Sequence, residues 1–538
     1  MTDALLLIAA PVMPLLAAAL AMAAPRRLSM LGLAVAAAPA LVAGLTAGGA
    51  EAELPGFLFG AQLRLEPDLA PALAAIALVW GAAALHGRAE IADGPDSRRY
   101  KACFGISMAG QFATLLARDM ASFYAGFAAL SFAAYGLVAH KGTVEAMRAG
   151  RVYAVFVVMG ELALFTAFVL IAAAQAGLAP PVETGVSAPA LVWWLLLAGF
   201  GVKAGLVPLH VWLPLAHPVA PVPASAALSG ATLKAGLVGL LVFAPPALAA
   251  PPHYGEALIW LGFIGAFGAA LLGVAQRDPK VVLAYSSVSQ MGLALALLGA
   301  AAHGLAEPAP ARAAVLLFVV HHALAKAALF LGVSSGAPRM VTLVGLGVAA
   351  LSLTGAPLTL GYAAKAAAGA AAPVLGPVLS VAAFGTAALM ARALWLVVRQ
   401  APARTSRIKA TAFGALVLGL ASAPLMLAAS VVPSTATAAA AALAPALAAL
   451  ALGFGLSLLR VRWPAPPPGD LVVLADPIGA ALERSSRFTG STADAPRSAA
   501  ALQDEAPPDE GALWRETGVA MAVVLLAVAL AALGAATR

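Results

Sequence analysis

Long apolar runs alternate with short polar connections along almost the whole chain. Runs of about twenty residues lie near 4–23, 29–48, 68–87, 102–117, 120–140 and 152–175. Others follow near 189–206, 225–246, 257–276, 279–300, 313–336, 341–366, 374–398, 410–432, 434–459 and 517–536. A helix of about twenty residues crosses the ~30 Å hydrocarbon core of a bilayer, so the pattern predicts about sixteen transmembrane helices. The runs are continuous and lack the alternation of lipid-facing strands, which argues against a β-barrel. Residues 463–515 form the one long polar stretch. Within it DPIGAALERSSRF predicts a short surface helix starting near Asp476 or Pro477, and the remainder reads as a linker. The first run follows Met1-Thr2-Asp3 and not a basic segment, which predicts a spanning helix in place of a cleaved signal peptide.

Composition makes the class firm. Of 538 residues, 62% are hydrophobic and only 10% charged, with a mean hydropathy of +0.95. Ala, Leu, Val and Gly dominate, as suits helices packed closely in lipid. The fold class is therefore an all-α, polytopic membrane protein. The net charge of +7 sits in short loops, so it reads as topogenic and not as a nucleic-acid surface. Counting loops alternately, Arg26, Arg27, Arg88, Arg98, Arg99, Lys101, Lys141, Arg148, Arg151, Arg277, Lys280 and Arg339 share one side. Arg399, Arg404, Arg407, Lys409, Arg460 and Arg462 fall there too, whereas Arg64, Arg118, Arg312 and Arg538 lie opposite. The positive-inside bias then places both termini on the outer face of a bacterial-type inner membrane. The single cysteine, Cys103, excludes an internal disulfide, an iron–sulfur cluster and a cysteine-rich metal centre. No catalytic residue, metal site or cofactor is expected.

Candidate chemistry resides in polar groups inside the apolar runs: Glu161, Lys203, Lys234, Lys326, Lys365 and the pair His321 and His322, with Arg392 near a run's end. A charge at mid-bilayer costs about 2.5–3.5 kcal/mol on the lenient insertion scale, so such residues point to ion or proton handling. A low dielectric disfavours an ammonium and lets a lysine exchange a proton near neutral pH. Lys203 and Lys365, late in their runs, have snorkelling as the alternative, and Glu161 has helix–helix hydrogen bonding. Arg392 is better read as structural. His322 and Lys326, four apart, share a helix face. Supporting polar groups are His210 and His217 in the proline-rich stretch after Lys203, and Tyr285, Ser286, Ser287, Ser289 and Gln290 in a later run. Pro208 and Pro214 follow Lys203 and Pro357 precedes Lys365, so both lysines adjoin interrupted helices whose freed backbone groups must line a cavity or be buried. That duplication fits a transporter built from two repeats.

The ordered stretches VKAGLVPLHVWLPLAHPVAPVPASAALSGATLKAGLVGLL, RDPKVVLAYSSVSQMG, HHALAKAALFLG and LSLTGAPLTLGYAAK resemble the antiporter-like subunits of three kinds of assembly. These are respiratory complex I, multisubunit cation/proton antiporters, and hydrogenases of the hydrogenase-4 and formate hydrogenlyase kind. The resemblance covers roughly residues 100–430. It implies a fourteen-helix core with two inverted five-helix repeats, each containing a broken helix, and a polar axis halfway across the membrane. By this resemblance Lys203 matches the lysine of the first broken helix, Lys234 the lysine of the next helix, and Lys326 with His322 the basic group of the HHALxK helix. Lys365 matches the Lys or Glu of the second broken helix. Residues 1–101 become an amino-terminal three-helix segment, 102–432 the core, and 433–538 an extension of two further helices joined by the linker 463–515. The chain departs from the family pattern at Ala128, where a glutamate normally pairs with the first lysine, and at Leu215 and Val219, where two further carboxylates are lost. Glu161 is the expected replacement for the missing partner of Lys203.

The resulting expectation is a proton-translocating subunit of a complex I-like or hydrogenase-type oxidoreductase, without a redox cofactor of its own. Its partners would be other membrane subunits and the lipid bilayer, and not nucleic acid. A cation/proton antiporter subunit and a non-conducting structural unit are the alternatives. Protons are favoured over sodium, which would want more oxygen ligands than the apolar runs contain.

Overall fold

A computed structural model describes residues 2–451 except 24–27, 59, 92–94, 175–188, 245–249, 402, 427–439, 446 and 449–450. All the described residues fall within one compact unit, Met1–Pro466. The expected run at 517–536, most of that at 434–459, the linker 463–515 and its surface helix lie outside the described residues.

Seventeen helices are described, nine of them long and apolar enough to span a membrane. In order they are α1 (Thr2–Ala23), α2 (Leu28–Ala36), α3 (Ala38–Thr46), α4 (Ala70–Glu90), α5 (Pro95–Leu116) and α6 (Met120–Val138). Next come α7 (Val144–Ala174), α8 (Ala190–Ala204), α9 (Trp212–Val219), α10 (Val222–Phe243) and α11 (Tyr254–Val274). The series ends with α12 (Pro279–Ala302), α13 (Pro308–Gly332), α14 (Arg339–Thr354), α15 (Leu360–Ala371), α16 (Gly376–Arg399) and α17 (Arg407–Met426). The chain is an integral membrane protein, and large apolar side chains such as Leu20, Phe132, Leu162, Trp260 and Leu271 face outward from it.

Two single runs of the sequence reading are each divided in the structure. The run near 29–48 becomes α2 and α3, turning at Ala37 just ahead of Pro39. The run near 341–366 becomes α14 and α15, with Gly355 and Pro357 in the gap. The all-helical expectation also omitted a small antiparallel hairpin, β1 (Glu51–Leu54) and β2 (Ala61–Arg64). It carries an ion-pair cluster: Arg64 reaches Glu51 at 3.1 Å and Glu66 at 3.3 Å, and Arg118 donates to Glu66 at 2.8 Å. Arg312 meets Asp68 nearby in the chain, so Arg64, Arg118 and Arg312 gather around one segment, as the loop count requires.

The centre of the unit is α12, buried along nearly its whole length, with α10 and α13 beside it. Asp278 starts α12 by accepting Lys280 N–H at 2.7 Å, with Pro279 in the first turn. The same two-part device flanks this centre twice. α8 and α14 have 15 and 16 residues, about 22–24 Å, too short to cross the hydrocarbon core. Each stops at a left-handed glycine, Gly205 (φ +70°) and Gly355 (φ +83°), a conformation costly for any residue with a Cβ. Each stop is closed by a 6→1 bond, Leu206 N–H to Gly201 O at 2.8 Å and Ala356 N–H to Leu351 O at 3.0 Å. A second short helix follows in both places, α9 and α15. This recurrence fits the two-repeat architecture.

Candidate functional site

The carboxyl-terminal end of α8 carries the first amine. Lys203 is 2% exposed, and its Nζ donates to Tyr153 Oη at 3.2 Å and lies over the rings of Phe127 and Tyr153. The helix ends at the next residue, Ala204, so the negative end of the helix dipole favours a cation here. Tyr153 passes its own hydroxyl hydrogen to Ser131 O at 2.8 Å. Glu161, one helix further along than the family's usual glutamate, reaches the Ser131 side chain and lies within electrostatic range of Lys203. Its second carboxylate oxygen has no hydrogen-bond partner among the described residues. Ser131 follows Ala128 by three positions on α6, so α6 contributes a hydroxyl where the family pattern carries a carboxylate.

The second and third amines each rest on a backbone carbonyl, and a hydroxyl pair between α10 and α12 lies between them. Leu228–Thr232 forms a π turn in α10, and such a turn leaves carbonyls free of their usual partners. Lys234 Nζ donates to a carbonyl of this turn, Ser229 O. Ser229 Oγ meets Ser287 Oγ at 2.8 Å. Ser287 Oγ donates to Leu283 O at 3.1 Å, the same carbonyl that receives Lys326 Nζ at 2.5 Å and Ser286 Oγ at 2.9 Å. Lys326 Nζ also donates to Ser286 Oγ at 2.5 Å and sits over the Phe330 ring. Lys234, Lys326, Ser229, Ser286 and Ser287 are all fully buried. Neither lysine has a carboxylate partner among the described residues; both rest on carbonyls and hydroxyls.

The histidines occupy the space around this pair. His322 stacks on Phe318 with centroids 5.4 Å apart, and its ring nitrogens have no hydrogen-bond partner among the described residues. It therefore shares a face with Lys326 without bonding to it, while feeling the charges of Lys234 and Lys326. His217 stacks on Phe330 at 4.6 Å and lies within range of Lys234, Lys280 and Lys326. His321 extends the line toward Lys365: a Cβ on Gly361 of α15 would fall 2.8 Å from His321 Nε2. Lys365, half-buried, folds back across the second break and donates from Nζ to Thr354 O at 2.7 Å. Both flanking amines thus meet the end of a half-helix, Lys203 from before its break and Lys365 from after it. His210 is buried beside the first break. Gln290 donates to Thr386 at 2.7 Å and Ser289 to Ala266 O at 2.7 Å, which ties α12 to α16 and α11 more than to the amines. Arg392 bonds Gln276 O twice and stacks on Trp395, the structural role expected of it.

Three residues are misplaced or missed when the sequence is read alone. Lys280 was assigned to a basic loop, yet it lies in the first turn of α12 with only 8% exposure and donates to Ala220 O at 2.5 Å. Its position two residues after the cap Asp278 is the available signal. Tyr153 and Ser229 were not singled out at all, because one hydroxyl in an apolar run looks like ordinary packing until its neighbour from another helix is known. Among the described residues no group of His, Cys, Asp and Glu is arranged to hold a metal ion.

The profile of the family described as "NADH:quinone oxidoreductase/Mrp antiporter, TM" matches residues 117–391. Hydrogenase-4 component B of Escherichia coli is 32% identical over 249 residues, covering 44% of this chain and 37% of the relative. NADH-quinone oxidoreductase subunit N of Desulforudis audaxviator is 31% identical over 337 residues, covering 57% of this chain and 66% of that one. The chain spans about two fifths of the length of several curated relatives it matches. In three dimensions it superimposes on the Mrp complex from a Dietzia species with a TM-score of 0.71 at 23% identity, covering all of this chain and 63% of the other.

Proposed function

The chain belongs to the NADH:quinone oxidoreductase/Mrp antiporter transmembrane family, and from that premise we propose that it is a proton-translocating subunit of a complex I-like or hydrogenase-type membrane oxidoreductase. One observation carries the reading: fully buried lysines on α10 and α13, with no carboxylate partner among the described residues, lie on either side of a hydroxyl pair, each donating to a backbone carbonyl beside it. Glu161 and Lys203 form one end of the path, Lys234 and Lys326 its middle, and His321 and Lys365 its other end. His210, His217, His322, Ser286, Ser287 and Gln290 support water along it. Electron transfer in partner subunits supplies the drive, and this chain contributes no redox group.

The core of the unit is 102–432, with 1–101 preceding it and 433–538 as an extension. The membrane is a bacterial-type inner membrane with both termini outside, a reading supported by the basic loops. A cation/proton antiporter subunit is the second reading, favoured by the structural likeness to an Mrp complex. Glu161 is the carboxylate available to a cation on this path, and sodium wants several oxygen ligands, so protons remain the preferred ion. A structural, non-conducting unit is the third, and the loss of the usual glutamate at Ala128 is its support.

The test is proton flux in proteoliposomes holding the chain with its co-purifying subunits. Lys234→Ala is expected to abolish flux, and flux at the unsubstituted level in that variant would overturn the reading. Identification of the co-purifying chains, and flux with and without sodium, separates the first two readings.

A further inference from the structure

We propose that Glu90 is a positioning residue for Lys234, gripping the start of the lysine-bearing helix α10 from α4. The inference rests on the proposed function, since it concerns the geometry of that path. α10 begins directly after Pro221, and no side chain of its own caps it. Its first free donor, Val222 N–H, is taken by Glu90 Oε1 at 2.8 Å. A carboxylate is favourable there, because a helix start presents unpaired N–H groups and the positive end of the dipole.

The other oxygen, Glu90 Oε2, collects three more groups. It lies 3.0 Å from His86 Nε2, 3.3 Å from Ser334 Oγ and 3.2 Å from Lys409 Nζ. Those groups come from α4, the α13–α14 link and α17, so one carboxylate ties four elements together. Glu90 keeps 21% side-chain exposure, Lys409 15%, and His86 is fully buried. Tyr100 on α5 and Lys280 on α12 also lie within electrostatic range.

The same helix α4 backs the π turn of α10. A Cβ on Gly230 would fall 2.9 Å from Val79 Cγ1 of α4 and 3.0 Å from Ala327 Cβ of α13. Val79 and Glu90 are separated by about three turns of α4, roughly 16 Å. One rigid helix therefore fixes both the start of α10 and the turn whose Ser229 carbonyl holds Lys234. Glu90, His86 and Lys409 all lie outside residues 117–391, so the stretch that carries the family pattern takes its register from the flanks.

Three variants of the full chain, each reconstituted with its co-purifying subunits, test this by flux measured across pH. Glu90→Ala is expected to lower flux about tenfold and to move the pH midpoint of flux by half a unit or more, because Lys234 leaves its carbonyl. Glu90→Gln, whose Oε1 still accepts from Val222 N–H, is expected to retain flux within twofold and the original midpoint. A purely structural role would scale the curve without moving it. An unchanged midpoint in Glu90→Ala, or a Glu90→Gln as impaired as Glu90→Ala, overturns the inference. If Glu90→Ala does not insert, Glu90→Asp takes its place with the same expectation, since it is one methylene short of Val222 N–H. Lys234→Ala runs alongside: flux surviving there overturns the proposed function, whereas loss there with normal Glu90→Ala overturns the positioning role alone.

Discussion

Ser229 Oγ and Ser287 Oγ, 58 positions apart in the chain, lie 2.8 Å from each other between α10 and α12. Through this contact the helix of Lys234 is joined to the helix against which Lys326 rests. Either hydroxyl can donate, because Ser287 Oγ can turn its hydrogen from Leu283 O to Ser229 Oγ and so reverse the pair without moving a heavy atom. A proton relay that must run and reset needs that property.

Removing one member of that pair should therefore interrupt the middle of the path. Ser287→Ala leaves Ser229 Oγ without its partner in an apolar setting, at a cost of about 1–3 kcal/mol. The expected result is proton flux reduced roughly tenfold, at 1.4 kcal/mol per decade of rate. Ser287→Thr, which keeps a hydroxyl, should retain most of it. Flux assays on the two variants at equal protein content check this.

At the Lys203 end the expectation concerns Glu161. Glu161→Gln should depress flux about as strongly as Lys203→Ala, since each removes one half of the charge pair. Tyr153→Phe removes the hydroxyl that accepts from Lys203 at 3.2 Å and should fall between these variants and the unsubstituted protein. Unimpaired pumping in Glu161→Gln would reject this carboxylate as the replacement for the one missing at Ala128.

The two helix stops give a stability prediction. Gly355→Ala forces a Cβ into the left-handed region, at about 1–2 kcal/mol, and places it 2.7 Å from Lys365 Cδ. Gly205→Ala meets Leu213 Cδ1 at the same distance. Both variants should melt several degrees lower in detergent, and Gly355→Ala should also lose flux because Lys365 must move. Thermal unfolding monitored beside flux separates the two effects.

A contrasting variant should change little. Arg312 pairs with Asp68 at 2.7 Å, but both side chains are substantially exposed. Such a pair contributes about 0–1 kcal/mol, so Arg312→Gln should leave flux intact and shift the melting temperature slightly at most.

The sequence alone determined the class, many of the long apolar helices, and which ionisable groups lie inside apolar runs. Twenty-residue apolar runs admit few structures other than helices in lipid, and a lysine within one announces itself by its cost. Proline and glycine after Lys203 and before Lys365 likewise marked both breaks, because a helix cannot continue unchanged through them. What only the tertiary structure decided is which groups meet. Ser229 with Ser287, Tyr153 with Lys203, Glu90 with Val222, and Lys280 drawn inward to Ala220 are contacts between residues far apart in sequence. Their pairing depends on how helices cross and how far each is rotated. Periodicity cannot supply that information in runs that are apolar on every face.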